Sequence, residues 1–123
     1  GLALKPNTDD MREAPSRNLL ESLWAAGAKV KAYDPVAMKE ARRIYGERAD
    51  LQLVDSPLAA VQDADSLAIV TEWQIFRAPD FDLLAATLHD KMIFDGRNLY
   101  ESALPASHGL GYVSIGRPAQ LPR

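Results

Sequence analysis

Leu51-Gln-Leu-Val-Asp-Ser-Pro-Leu-Ala-Ala-Val-Gln-Asp-Ala-Asp-Ser-Leu-Ala-Ile-Val70 carries a strand, a helix and a second strand. Leu51 to Val54 is a short apolar strand. Ser56 then offers a side-chain oxygen to the first free amides of a helix. Pro57 follows at the first helical position, where its missing N–H does no harm. The helix so opened runs to about Val61. Ser66 to Val70 is a nearly continuous apolar run, the pattern of a parallel strand covered by helices on both faces.

Outward from this unit the alternation continues. Leu19, Leu20, Leu23 and Trp24 form one apolar stripe at helical spacing, predicting a helix over roughly Pro15 to Ala26 that Gly27 stops. Asp10 and Glu13 have capping-box spacing. A start there would put Pro15 beyond the first turn, where it loses a hydrogen bond and clashes. The start is therefore expected between Arg12 and Pro15. Lys29 to Tyr33 is a strand ending in Asp34-Pro35, and a helix follows from about Val36 to Tyr45, with Met38, Ala41 and Tyr45 inward and Gly46 at its end. Downstream, Thr71 to Asp82 is irregular with a turn of helix, and Phe81 to His89 is helical. Lys91 to Phe94 is a strand, Glu101 to Ala103 a loop or short helix, and Tyr112 to Ile115 a last strand. A short opening strand is expected at Gly1 to Leu4. The order β-α-β-α-β-α-β-α-β predicts an α/β fold: a Rossmann-like three-layer domain with a mainly parallel sheet of five to six strands.

At 123 residues, with 47% apolar and 25% charged residues, the chain has the size and composition of one globular domain. Residues 1–117 are expected to form it, with 118–123, which include two prolines, as a flexible tail. The formal net charge of -3 argues against a broad electrostatic footprint for nucleic acid, though not against a local pocket for a phosphorylated metabolite. There is no cysteine, which excludes a disulfide framework, a thiolate metal site and a cysteine nucleophile within this chain. No apolar run approaches the roughly 18 residues of a membrane span. The first residues lack the basic start and apolar core of a signal peptide. A cytoplasmic protein with neither a membrane nor a nucleic-acid partner is expected. The chain begins at Gly1, inside what looks like a strand, so a segment cut from a longer protein is expected too.

In an open parallel α/β sheet, ligands bind beyond the carboxyl ends of the strands. The polar clusters fall there: Lys5 to Glu13 after the opening strand, Asp34, Thr71-Glu72-Trp73, and Asp95-Gly96-Arg97-Asn98. Lys5 and Arg97 are thus expected at one sheet edge, beside the first helix's N-terminus with its free amides and partial positive charge. That arrangement suits an anionic ligand. No G-x-G-x-x-G follows the first strand, and no G-x-x-x-x-G-K-[ST] occurs anywhere. Asp34 stands where a dinucleotide-binding domain keeps its ribose-binding acid, but the glycine turn is missing. His89 and His108 have no metal-ligand partner at useful spacing and are expected at the surface. No metal site is expected.

Lys5-Pro-Asn-Thr-Asp-Asp-Met-Arg-Glu-Ala-Pro-Ser16 resembles the segment that opens the C-terminal domain of the UDP-glucose 6-dehydrogenase family, within the wider group of UDP-sugar and GDP-mannose dehydrogenases. Val70-Thr71-Glu72-Trp73 and Phe94-Asp95-Gly96-Arg97-Asn98 look like that domain's next two signatures, and the resemblance covers essentially the whole chain. It implies the UDP-sugar-binding domain of an enzyme that oxidises UDP-glucose to UDP-glucuronate in two steps with two NAD molecules. In this family an N-terminal Rossmann domain holds NAD and a central helical region forms the dimer. The catalytic cysteine lies in the region preceding the C-terminal domain. The implied partners are therefore UDP-glucose or UDP and those two other domains, in a homo-oligomeric enzyme. The isolated domain would be inactive and would contain no catalytic residue. Carried over by position, Lys5 and Arg97 contact the UDP-sugar and Arg12 reaches the NAD on the other domain. Leu4 replaces the family's usual Phe beside the uridine, which loosens packing there but leaves the backbone contacts.

Each of these residues also has an ordinary role. Lys5 by itself is a solvated lysine, and Arg12 half of a salt bridge with Asp9 or Glu13. Thr8, Asp9 and Asp10 fit loop and cap positions, and Trp73 fits core or interdomain packing. Asp95 either orders its loop or orients a neighbouring cation, and Glu72 has no assigned role. Two other readings stand: the same domain of a dehydrogenase for a UDP-N-acetyl sugar or GDP-mannose, and a stand-alone nucleotide-binding or signalling α/β module. A receiver-like version of the latter expects clustered acids after the first strand, where this chain has Lys5.

Overall fold

The computed structural model describes residues 1–121. Along them run α1 (Pro15–Ala25), β1 (Val30–Ala32), α2 (Met38–Tyr45), β2 (Leu51–Leu53), α3 (Pro57–Val61), β3 (Ser66–Ile69), α4 (Phe81–Thr87), β4 (Met92–Asp95), α5 (Ala103–Ser107) and β5 (Gly111–Ser114), with a 3-10 turn at Gln74–Phe76. Every ladder is parallel. β1 pairs with β2, β3 with β4, and β4 with β5. The α/β class with parallel strands agrees with the alternation. Among the described residues the strands number five, and they form a two-stranded and a three-stranded sheet rather than one. The chain divides correspondingly into two compact units, Gly1–Ala60 and a second beginning at Val61.

No strand forms at Gly1 to Leu4, where the sequence pattern predicts one. The reason lies some thirty residues away. The amides of Leu2 and Ala3 donate to Oδ2 of Asp34 at 2.7 and 3.0 Å, and that of Leu4 to the Asp10 carbonyl at 2.8 Å. Amides committed to a carboxylate and a turn are unavailable to a ladder.

In the first unit, α1 starts at Pro15, as the proline argument requires, with Ala14 extended before it (φ -65, ψ 137). It ends in a Schellman motif. Gly27 takes φ 87, its amide bonds the Trp24 carbonyl at 3.0 Å, and the Ala28 amide bonds that of Leu23 at 2.9 Å. Ser16 and Leu20 form its buried face. α2 begins two residues later than expected, at Met38, after a turn in which Oδ1 of Asp34 accepts the Val36 and Ala37 amides at 2.9 and 2.8 Å. The core gathers Leu2, Met11, Leu20, Ala37 and Ala41. A fully buried leucine in such a cluster contributes roughly 1.5–3 kcal/mol.

In the second unit, Asp80 caps α4 by accepting from the Leu83 amide at 3.0 Å. The core is built from Ile69, Phe81, Leu84, Leu88, Ile93 and Tyr112 around one face of the three-stranded sheet. On the other face Ala68 is exposed and Phe94 is 45% exposed, so the apolar run of β3 is covered on one side only. An apolar run reports strand character but cannot report whether a second layer lies over it. At the tail, Gln120 and Tyr112 exchange two backbone hydrogen bonds of 2.8 and 2.9 Å in an antiparallel bridge. Pro122 and Arg123, the end of the tail expected to be flexible, lie outside the described residues. Among the described residues no helix is long and apolar enough to cross a membrane.

Candidate functional site

Asp34 organises the first unit's polar loop. It is fully buried, and its two oxygens accept four backbone amides from Leu2, Ala3, Val36 and Ala37. Desolvation is the largest single influence on its carboxyl and acts upward. The amide hydrogen bonds together outweigh it, so the group is held below its usual range. With both oxygens occupied, Asp34 ties two loops together and is no ribose acceptor. Ser16 adds a second tie, its hydroxyl donating to the Leu2 carbonyl at 2.5 Å. Leu4, half-buried, packs against the same core, and exposed Lys5 follows it into the turn. That turn is closed by the Leu4–Asp10 backbone bond and by the Thr8 hydroxyl, which accepts from the Asp10 amide at 3.1 Å.

Arg12 sits in the same loop with its side chain 88% exposed. Its guanidinium pairs with Asp10, at 2.8 Å for Nη2, and not with Asp9 or Glu13; the Arg12 amide also bonds Asp10 Oδ1 at 2.9 Å. The side-chain bond first, then the amide, hold the Asp10 carboxyl down to about 2. Asp10 thus orders the loop ahead of α1 and does not cap the helix, whose N-cap Ala14 has no side-chain bond.

In the second unit, β3 and β4 are in register up to Ile69 opposite Asp95, so Val70 to Trp73 and Gly96 to Asn98 leave the sheet side by side. The Gly96 amide bonds the Ile69 carbonyl at 2.8 Å, and a Cβ at Gly96 would lie 3.3 Å from that oxygen. Close approach of the two chains therefore favours glycine between Asp95 and Arg97. Asp95 is 2% exposed. It accepts from the Arg97 amide at 2.8 Å, the Leu99 amide at 2.7 Å and the Tyr112 hydroxyl at 2.6 Å. Burial first, and then the hydrogen bond to Asp95, push the Tyr112 hydroxyl up to about 12. Arg117 braces this network. Its Nη2 donates to the Tyr112 hydroxyl at 3.2 Å and its Nη1 to the Tyr100 carbonyl at 2.9 Å. Asn98, at φ 54, exchanges 3.0 and 2.9 Å bonds with the Ile115 backbone.

Arg97 itself is held by its Nε edge. That nitrogen donates to the Val70 carbonyl at 3.1 Å and lies 3.0 Å from Glu72 Oε2, with both side chains about 30% exposed. The Glu72 contact is an ion pair without hydrogen-bond alignment, and Oε2 is buried.

Leu4, Lys5 and Arg12 therefore share one loop of the first unit, and Arg97 belongs to a loop of the second. The residues that hold Arg97's loop (Asn98, Tyr112 and Arg117) were not identified from sequence as such. Only Asn98 carried a signal, through its place in the Asp-Gly-Arg-Asn stretch. Trp73 is 8% exposed, in keeping with packing. His89 is exposed beside Asp65 at 3.1 Å. His108 is a third exposed, stacked on Phe81 at 5.4 Å and 2.8 Å from Asp82. Arg12 and Arg97 are each held by an ion pair, to Asp10 and Glu72, in the loop of its own unit. The buried acids of these loops are engaged, Asp34 by four backbone amides and Asp95 by two amides and the Tyr112 hydroxyl.

Residues 1–102 match the model of the UDP-glucose/GDP-mannose dehydrogenase family, UDP binding domain. The chain is 50% identical over 121 residues to a UDP-glucose 6-dehydrogenase of Pseudomonas aeruginosa, covering 96% of this chain and 27% of that protein. It is 45% identical over 118 residues to a UDP-glucose 6-dehydrogenase of Rhizobium meliloti, covering 96% and 26%. The structure of a UDP-glucose dehydrogenase from Pyrobaculum islandicum superposes with a TM-score of 0.71 at 30% identity, covering 94% of this chain and 23% of that one. The chain thus spans about a quarter of the length of these relatives. With the match reaching from the Lys5–Ser16 loop through the Asp-Gly-Arg-Asn loop, the chain belongs to the UDP-glucose/GDP-mannose dehydrogenase family as its UDP-binding domain.

Proposed function

We propose that this chain is the UDP-sugar-binding domain of an NAD-dependent UDP-glucose 6-dehydrogenase that oxidises UDP-glucose to UDP-glucuronate. It acts as a cationic cover over a substrate held mainly by the other domains. The observation that carries the reading is Arg97: a half-buried guanidinium, fixed by its Nε edge in a loop that Asp95 locks from below. A planar guanidinium so fixed suits a phosphate or vicinal hydroxyls. Lys5 supplies a second cation, and the Leu4 backbone would border the uridine. The identity to two UDP-glucose 6-dehydrogenases favours UDP-glucose over UDP-N-acetyl sugars or GDP-mannose.

NAD would be held mainly by another domain, since this chain has no glycine-rich pyrophosphate turn and Asp34 is fully engaged. When bound, NAD supplies the hydride acceptor. Arg12, with its long exposed side chain, is the residue of this chain assigned to reach it. A cytoplasmic, homo-oligomeric parent enzyme belongs to the same proposal, as does the inactivity of the chain alone.

Titration calorimetry of the chain with UDP, UDP-glucose and GDP-mannose tests the reading. Binding of UDP and UDP-glucose, weakened by Lys5→Ala and by Arg97→Ala, is expected. An isolated domain that normally closes on its partner loses part of its contacts, so affinities near about a millimolar still count as binding. Silence with every nucleotide, or NAD-dependent turnover by the pure chain, would overturn it.

A further inference from the structure

Glu72 stands in the Thr71-Glu72-Trp73 stretch, with Oε2 3.0 Å from Nε of Arg97. Electrostatics alone argues against its position, because a carboxylate beside an anion-binding arginine repels the ligand. The geometry gives another reason for it. β3 and β4 run parallel and in register to their carboxyl ends, so the residues that follow are delivered to one another. Val70 turns its carbonyl, and Glu72 its carboxylate, toward the same nitrogen of Arg97, at 3.1 and 3.0 Å. Asp95 fixes the Arg97 backbone amide at 2.8 Å. A planar guanidinium so contacted at Nε, on a backbone that is itself tied, has the orientation of its plane set.

We propose that Glu72 is the positioning residue for Arg97. Its carboxylate, an ion pair 3.0 Å from Nε, keeps the guanidinium seated while the single Nε–H donates to the Val70 carbonyl, and it does so without touching the ligand. This rests on the reading of Arg97 as a UDP-sugar contact. The two signature stretches, Thr-Glu-Trp and Asp-Gly-Arg, then form one device: the first aims what the second carries.

The test compares the 123-residue chain with Glu72→Gln and Glu72→Asp. The first readout needs no ligand. In arginine-labelled protein, the Arg97 Nε–H resonance should exchange with solvent slowly in the parent and several-fold faster in Glu72→Gln, with the backbone spectrum otherwise retained. An unchanged Nε–H rate in Glu72→Gln would overturn the proposal, whatever UDP does. The second readout is the UDP dissociation constant by titration. Loss of aim should weaken it about tenfold in Glu72→Gln, equal to about 1.4 kcal/mol, with partial recovery in Glu72→Asp. Tighter UDP binding by Glu72→Gln would mean that Glu72 only neutralises Arg97, and would overturn the proposal. So would a lowered melting temperature with unchanged affinity, the mark of a purely structural pair. Should the parent bind no UDP while Glu72→Gln still frees the Nε–H, the substrate reading fails and the positioning role stands.

Discussion

Replacing Asp34 by Asn tests whether the first unit is organised around one buried carboxylate. Four amide contacts of 2.7–3.0 Å converge on it. Asparagine keeps the shape, but its nitrogen would face two N–H groups instead of accepting from them. Two buried donors are then left unsatisfied at about 1–3 kcal/mol each, so the expected loss is about 2–6 kcal/mol. Against a total domain stability of roughly 5–15 kcal/mol, that is a large fraction. Urea unfolding of parent and Asp34→Asn at pH 7 measures it, with Trp24 reporting from the first unit. The pH dependence has a definite sign. The folded carboxyl lies below its ordinary 3.8, so on acidification the unfolded chain takes up the proton first. The stabilisation is complete above that ordinary value and is lost as pH falls through the lower folded one. The gap between the two proteins should therefore hold at neutral pH and narrow in acid. A variant within about 0.5 kcal/mol of the parent at pH 7 would refute the reasoning, since that is the scatter of inconsequential surface changes. A gap indifferent to acid would refute it equally.

Two smaller perturbations probe the second unit. Tyr112→Phe removes the hydroxyl that donates to Asp95 and accepts from Arg117. A loss of about 1–3 kcal/mol is expected in urea unfolding, and parental stability would contradict the bracing role. Asp80→Ala deletes the cap on the Leu83 amide and should cost about 1 kcal/mol, read as a lower urea midpoint at unchanged slope.

Local chemistry made much of this fold legible. Ser56-Pro57 marks a helix start because both residues act on the amides beside them, and the Ser56 hydroxyl oxygen does accept from Ala59 at 3.0 Å. The run Ser66 to Val70 marks a strand because its side chains alone state its preference. The failures share a different cause. Gly1 to Leu4 has strand-like composition, yet the Leu2 and Ala3 amides belong to Asp34, a partner outside any local window. At the site, the motif residues Lys5, Arg12 and Arg97 could be named from sequence. The braces could not, since Tyr112 reaches Asp95, and Arg117 reaches Tyr112, only through the parallel pairing of β4 with β5. Distant hydrogen bonds leave no periodicity.

Lys5 and Arg97 carry the same charge but are held differently, and this predicts unequal tolerance to charge-conserving change. Lys5 is exposed in a turn whose order comes from backbone bonds and the Thr8 hydroxyl, so any cation placed there keeps the turn. Arg97 is gripped through Nε by Val70 and Glu72, a hold that lysine, a point charge on a flexible stem, cannot reproduce. Arg97→Lys should therefore weaken UDP binding by about tenfold or more, while Lys5→Arg stays within about threefold of the parent, as expected where a bidentate fork matters at one position and charge alone at the other. Titration of both variants with UDP decides it. Equal losses would mean that net charge alone recruits the nucleotide, and the account of a guanidinium aimed by its neighbours would fall.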